Sequence, residues 1–351
     1  MAKTLARPLL AAPLLAVLLA GCGGPLRPAL LLELPEYCGT PAGLAGLPDG
    51  SFVLAVPNYG DDSYPPVLMK VSPDNEASLL GRLAAGPRTR RAGPMGLCAA
   101  PGGDLYLADM QYFFGAEAKS RLLRVVMKDG AAVGTVTVAE GFYAASGVAV
   151  HDGHVYVSDA VLDPTSRPLV SGVFRFKLGQ SPVKLTKPLA DDPHLIATIK
   201  TFSPRIGLGA AGLTFDSQGN LYVANLGDGS LHRIEFDGTG RVASNTVFAA
   251  ARCMRSCGGI FCETLTDRIY VADPAFNAVH VVSPDGSVRT LSRNGNTRGA
   301  GGALDQPWDV LVRGNELIVS NMDWPFPGLV NRKHDSPQTL SVIRLAEPGR
   351  K

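Results

Sequence analysis

The 351-residue chain carries almost no net charge: 33 Lys and Arg stand against 31 Asp and Glu, a formal +2. A basic footprint for nucleic acid is therefore missing, and nucleic acid is not expected as a partner. The one dense basic run, PRTRRAG (Pro87 to Gly93), reads as a solvated loop between strand pairs. The apolar run within the first 22 residues is too short for a membrane span and is followed at once by Gly and Pro. Nucleophilic-hydrolase signatures are absent as well. The six histidines are scattered, and there is no Ser-His-Asp arrangement and no Gly-x-Ser-x-Gly elbow. The six cysteines include no Cys-x-x-Cys pair, and CMRSCGGIFC (Cys253 to Cys262) has no histidine near it, which speaks against zinc, haem and thioredoxin-like redox chemistry.

What is abundant is glycine (40) and proline (27), the mark of a turn-rich all-β chain. The segment GLTFDSQGNLYVANLGDGSLHRIEFDGTG (Gly212 to Gly240) reads strand, turn, strand, short turn, strand, turn, and its second strand recurs. SFVLAV (from Ser51), LYLAD (Leu105), VYVSD (Val155), LYVAN (Leu221), IYVAD (Ile269) and LIVSN (Leu317) are six copies about 50 residues apart. Asp-Gly pairs in KDG (from Lys128), FDG (Phe236) and PDG (Pro284) supply hairpin turns. Four antiparallel strands repeated at this period predict a six-bladed β-propeller over residues 29–346, followed by a tail, 347–351. The sixth copy has only three strands of its own. ALLLEL (Ala29 to Leu34) is expected to complete it as the outer strand and to close the ring.

The N-terminus reads as an export signal over residues 1–21, with cations Lys3 and Arg7, an apolar stretch and small residues before Cys22. Its removal leaves a near-neutral chain. Leu19-Ala20-Gly21-Cys22 resembles the lipobox of bacterial lipoproteins. That resemblance implies acylation of Cys22, a short linker over residues 22–28, the membrane as a partner, and, with Gly23 following, an outer-membrane location facing the periplasm. Five cysteines remain. Their odd number leaves at least one free thiol; a local Cys253–Cys257 bridge is the expected pairing, and Cys98 and Cys262 read as small core residues.

GLTFDSQGNLYVAN and RGAGGALDQPWDVLV (Arg298 to Val312) resemble NHL repeats and the related SMP-30/gluconolactonase-like six-bladed propellers, over about residues 38 to 346. For a hydrolase of that family the resemblance implies a divalent cation, calcium or zinc, held by carboxylates and amides at the starts of the innermost strands. Here those starts read Thr40-Pro41-Ala42, Pro94-Met95-Gly96, Ala145-Ser146-Gly147, Ala210-Ala211-Gly212, Gly258-Gly259 and Pro307-Trp308-Asp309. Asp309 is the one carboxylate among them.

A second polar ring ends the second strands: Asp109, Asp159, Asn225, Asp273 and Asn321, interrupted by Val56. Asp and Asn at such positions bond to the backbone of the following turn, or face a ligand. The turns there are short in blades four and five and long in blades six, one, two and three, and ADDPHLIATIKTFSPRIGLG (Ala190 to Gly209) reads as a further long connection. The long turns carry Tyr59, Tyr64, Tyr112, Phe113, Phe114, Trp324 and Phe326, with Trp308 near the channel. The expected ligand surface is this aromatic wall at the channel mouth, with Tyr64, Asp109, Tyr112, Phe113, Asp159, Trp308, Asp309, Asn321 and Trp324 as its contacts. Three functions follow from it: a non-catalytic binder of a small molecule, glycan, peptide or envelope protein; a hydrolase with a divergent metal site; or a structural lipoprotein.

Overall fold

The computed structural model describes residues 25–345 apart from 62, 116, 181, 204 and 327. The export signal, Cys22 and the C-terminal tail lie outside the described residues. Six antiparallel sheets are arranged as a propeller. From the axis outward, blade one is Leu44–Gly46, Phe52–Val56, Val67–Val71 and Ala77–Arg82. Blades four and five repeat that plan from Ala210–Phe215 and from Ile260–Glu263. Blade six has Pro307–Arg313, Glu316–Asn321 and Thr339–Arg344, and Ala29–Glu33 pairs antiparallel on its outer edge, Ala29 opposite Val342 and Glu33 opposite Thr339.

Position in the blade explains the composition of each strand. Second strands are sandwiched between neighbouring blades and are buried along their whole length, so FVLAV, LYLAD and LYVAN read as continuous apolar runs rather than alternating ones. Outer strands are exposed or partly buried over most of their length, as in Ala77–Arg82 and Val288–Arg293. Apolar clusters fill each space between blades, for example Ala45, Val53 and Leu68 of blade one against Leu97, Leu107 and Leu123 of blade two.

Two local features differ from the sequence expectation. Leu195–Thr201, inside the segment read as a long connection, is the outer strand of blade three, pairing with Leu169–Lys177. Its inward Ala197, Ile199 and Thr201 alternate with outward residues, a period-2 signal. On the way there the chain lays Val183–Lys184 parallel to Ala139 and Glu140 on the edge of blade two. Of the Asp-Gly hairpins, Asp129-Gly130 takes positive φ at both residues (50° and 78°). At Asp237-Gly238 the positive φ passes to Gly240, and the Asp237 carboxylate accepts the Thr239 and Arg241 N–H groups instead.

Candidate functional site

The innermost strands approach one another closely at one end of the axis. A Cβ at Gly43 would overlap the Met95 carbonyl oxygen; at Gly96, that of Ser146; at Gly147, that of Ala211; at Gly212, that of Gly258; and at Gly259, the Asp309 carboxylate. Five glycines and Asp309 thus occupy one equivalent position in six blades, and only a missing side chain permits this approach. Three of the strands bulge within a residue or two of their glycine, at Pro94/Leu97, Ala145/Val148 and Ala210/Leu213. Hydrogen bonds run around the ring: Gly212 N to Gly258 O (3.1 Å), Gly259 N to Trp308 O (2.8 Å), and Ser158 Oγ to Ala211 O (2.6 Å). At the junction of blades six and one a side chain takes over, because Leu44 N donates to Asp309 Oδ2 at 2.9 Å. Above this ring an apolar cluster that includes Ala42, Met95, Ala144, Leu208, Met254, Trp308 and Met322 draws on all six blades and covers the long-loop end.

Below the ring the channel widens into a cavity of about 700 Å³. Its walls are the inner strands from Gly43, Gly96, Ser146, Ala211, Gly258 and Trp308 onward, reaching His151, Ser217 and Thr264 at the turns into the second strands. The opening therefore faces the short inner turns, opposite the long loops. Leu44, Leu97, Val148, Leu213, Ile260 and Val310, the residues after the ring, make the lining mostly apolar. Asp309 is the carboxylate at the blind end. Its oxygens accept the Leu44 and Val310 N–H groups, but burial outweighs both and raises the group to about 7. Asp216, nearer the opening, is engaged in its own turn by Gln218, Asn220 and Tyr222. The Cys98 and Cys262 thiols also line the cavity; burial raises both, Cys262 to about 12, so they stand neutral there.

No family model matches the chain, and no curated protein does. Solved structures do. A luciferin-regenerating enzyme superposes with a TM-score of 0.60 at 11% identity, over 92% of this chain and 95% of its own. A gluconolactonase from Xanthomonas campestris gives 0.56 at 13%, over 91% of each chain, and virginiamycin B lyase from Staphylococcus aureus 0.52 at 10%, over 90% and 98%. The chain has the fold of the gluconolactonase-like six-bladed propellers. That fold hosts enzymes named for different reactions, so the chemistry of this propeller has to come from its own residues.

An axial cation of the kind implied for SMP-30-like lactonases does not fit this propeller. Five of the six axial positions are glycines in contact with neighbouring backbone, and the sixth, Asp309, already spends both oxygens on backbone N–H groups. A hard cation needs six or so converging oxygens.

Of the expected site residues Trp308 and Asp309 line the cavity, and the others lie on the closed, long-loop side of the ring. The polar ring is buried. Asp109, Asp159, Asp273 and Asn321 bond chiefly to the segment entering the inner strand of the same blade rather than to the following turn alone, while Asn225 accepts from Thr201 Oγ1 and donates to Lys200 O of the preceding blade's outer strand. Asp109 accepts Gly93 N at 2.7 Å and Arg121 Nε at 2.7 Å. Asp159 accepts Tyr143 N and Ala144 N, with burial raising it to about 6. Asn321 accepts Asp305 N and donates to Thr339 and Ser341. Blade one, where Val56 breaks the ring, uses Asn58 for the same task, accepting Gly39 N and donating to Tyr37 O and Pro65 O. The aromatic residues of the long loops pack on one another: Trp324 stacks on Tyr59 at 4.9 Å and meets Phe113 edge-on at 4.7 Å, and Tyr112 lies 6.1 Å from Phe113. The Tyr59 hydroxyl donates to Met110 O. Tyr64 is partly exposed beside them in sequence.

The expected Cys253–Cys257 bridge is absent. Both thiols are free, as are Cys38, Cys98 and Cys262. Cys257 is wholly buried in the apolar cover of the channel, which holds it away from the partly exposed Cys253.

Proposed function

We propose that the protein binds a small, largely apolar molecule in the axial cavity, entering past the inner turns and anchored by one polar group to Asp309. The observation that carries this reading is the cavity of about 700 Å³ with one carboxylate at its blind end, in the size range of small-molecule sites. A ligand hydroxyl or amine would satisfy what remains of the Asp309 acceptor capacity. The export signal and lipobox-like sequence support its placement on a bacterial envelope through a lipid on Cys22; fatty-acid labelling that survives Cys22→Ala would refute that part.

A second reading is hydrolysis of a lactone without an axial metal. It draws support from Asp309 being raised to about 7, where a carboxylate serves as general base near neutral pH, and from the gluconolactonase fold. Thermal-shift screening of a panel of lactones, sugars and apolar acids tests both. A hit is expected to be lost in Thr264→Trp, which obstructs the opening from an exposed position, and weakened in Asp309→Asn. A hit indifferent to Thr264→Trp would place the ligand elsewhere. Lactone hydrolysis insensitive to chelators, with a limb near pH 7 that Asp309→Asn removes, would favour the second reading over the first.

A further inference from the structure

The loops that open blade six hold an arrangement that neither the cavity nor the ring uses. Asp305 ends the glycine-rich approach to the inner strand, and Asp323 and Asp335 lie between the second and third strands. One carboxylate oxygen from each falls within 4.8 Å of the others, and Asp305 and Asp323 are each 2% exposed. Three carboxylates packed this way repel one another and are poorly solvated. Their counter-charge is slight: His334 Nδ1 is 3.6 Å from Asp323 Oδ2, and no lysine or arginine is seen paired with any of the three among the described residues.

A second, independent observation concerns uncharged groups. Asn331, 1% exposed, and Gln338, 9% exposed, each donate an amide nitrogen to Asp323, at 2.7 and 3.0 Å. This leaves Asn331 Oδ1 and Gln338 Oε1, on the same two side chains, buried with no donor, and Asp305 Oδ1 and Asp335 Oδ1 are in the same condition. Buried acceptors are almost always satisfied. Here four acceptor oxygens from one cluster lack a donor or cation.

We propose that these loops form a binding site for a divalent cation of the calcium class, with Asp305, Asp323, Asp335, Asn331 and Gln338 as ligands. The donor set is oxygen only, mixes carboxylate with amide, and comes from irregular loops, which suits a large hard ion and not zinc or a thiophilic metal. The ion ties the Ala300–Gln306 approach to the long loop after Asn321. That approach also touches the ring closure, since Gly302 packs on the backbone of Ala29 and Leu30 and Gly299 on Thr339. The site is off the axis, distinct from the axial position whose residues do not fit a metal.

The test uses the full chain, stripped with EGTA and titrated calorimetrically with calcium chloride. One equivalent of calcium is expected to bind, magnesium at least about ten-fold more weakly, and the melting temperature is expected to rise in calcium over EGTA. Asp335→Asn should weaken calcium binding at least about ten-fold while melting like the wild type in EGTA; Asp309→Asn should leave calcium binding unchanged. No heat and no melting shift up to roughly 5 mM calcium overturns the proposal, as does full affinity in Asp335→Asn or loss confined to Asp309→Asn. If Asp335→Asn fails to fold, the wild-type comparison of calcium with EGTA decides.

Discussion

Replacing Gly259 by Ala places one methyl group where the structure has the Asp309 Oδ1, Cγ and Cα atoms. Two responses are open. The inner strands of blades five and six can separate, against the Gly259 N to Trp308 O hydrogen bond, at an overpacking cost of about 1–3 kcal/mol. Alternatively Asp309 can rotate away, which orphans the Leu44 N–H in the closed ring at a similar cost of about 1–3 kcal/mol. By either route the change is expected to cost about 1–3 kcal/mol, or roughly 2–6 °C of melting temperature at about 2 °C per kcal/mol. Gly134→Ala is the control, since that outer-strand glycine lies outside the left-handed region and the added methyl group would meet no atom within 4 Å. In an Asp309→Ala background Gly259→Ala should cost less but not nothing, because the overlap with Cα survives. Scanning calorimetry on the four variants reads this directly. A Gly259→Ala melt within about 0.5 kcal/mol of wild type would refute the glycine ring as the closure of the channel.

Asp309 and Asp159, raised to about 7 and about 6 by burial, bind protons more tightly folded than unfolded, where a carboxyl titrates near 4. Their contribution is therefore greatest below about pH 4 and declines as pH rises to about 7. Asp309→Asn should flatten the fall in melting temperature over that range, and an unchanged slope would contradict it. Alkylation of the denatured, unreduced chain should modify Cys38, Cys98, Cys253, Cys257 and Cys262, with no melting shift on adding dithiothreitol; protection of Cys253 and Cys257 together would restore the bridge. Removing residues 22–33 bares the edge of Thr339–Arg344 and takes away the packing of the partly buried Leu31 and Leu32, at an expected cost of about 2–4 kcal/mol. An unshifted melt would show that the closure is held by other contacts.

The blade count was legible because a second strand buried on both faces leaves a continuous apolar signature, and six such runs occur at one period. The cavity was harder to see, since its defining residues act through what they lack. Gly43-Leu44, Gly96-Leu97, Gly147-Val148, Gly212-Leu213, Gly259-Ile260 and Asp309-Val310 repeat a pair in register with the blades. That repetition was the available signal for an axis closed by backbone, with an apolar ring beneath it. Long loops rich in aromatics drew attention to the opposite face, yet Tyr59, Phe113 and Trp324 are spent on one another. The Asp305, Asp323 and Asp335 cluster had no signature at all, because loops of no fixed period bring the three together.

The seam between the last and first blades explains why the ring is asymmetric. At the junctions of blades four with five and five with six, a glycine N–H meets a neighbouring backbone carbonyl, Gly258 O or Trp308 O. At the junction of six with one, Leu44 N has a carboxylate oxygen of Asp309 as its partner instead. A backbone carbonyl is neutral and fixed, whereas this carboxylate titrates near neutrality and still faces the cavity. The Ala29–Glu33 pairing belongs to the same blade but to its outer edge, two strands removed from the inner strand that carries Asp309. Blade six thus carries the closure of the ring on one edge and the polar end of the cavity on the other. A ligand that reaches Asp309 should raise the melting temperature of the wild type and lose most of that effect in Asp309→Asn, a dependence that a ligand bound on the long-loop face would lack.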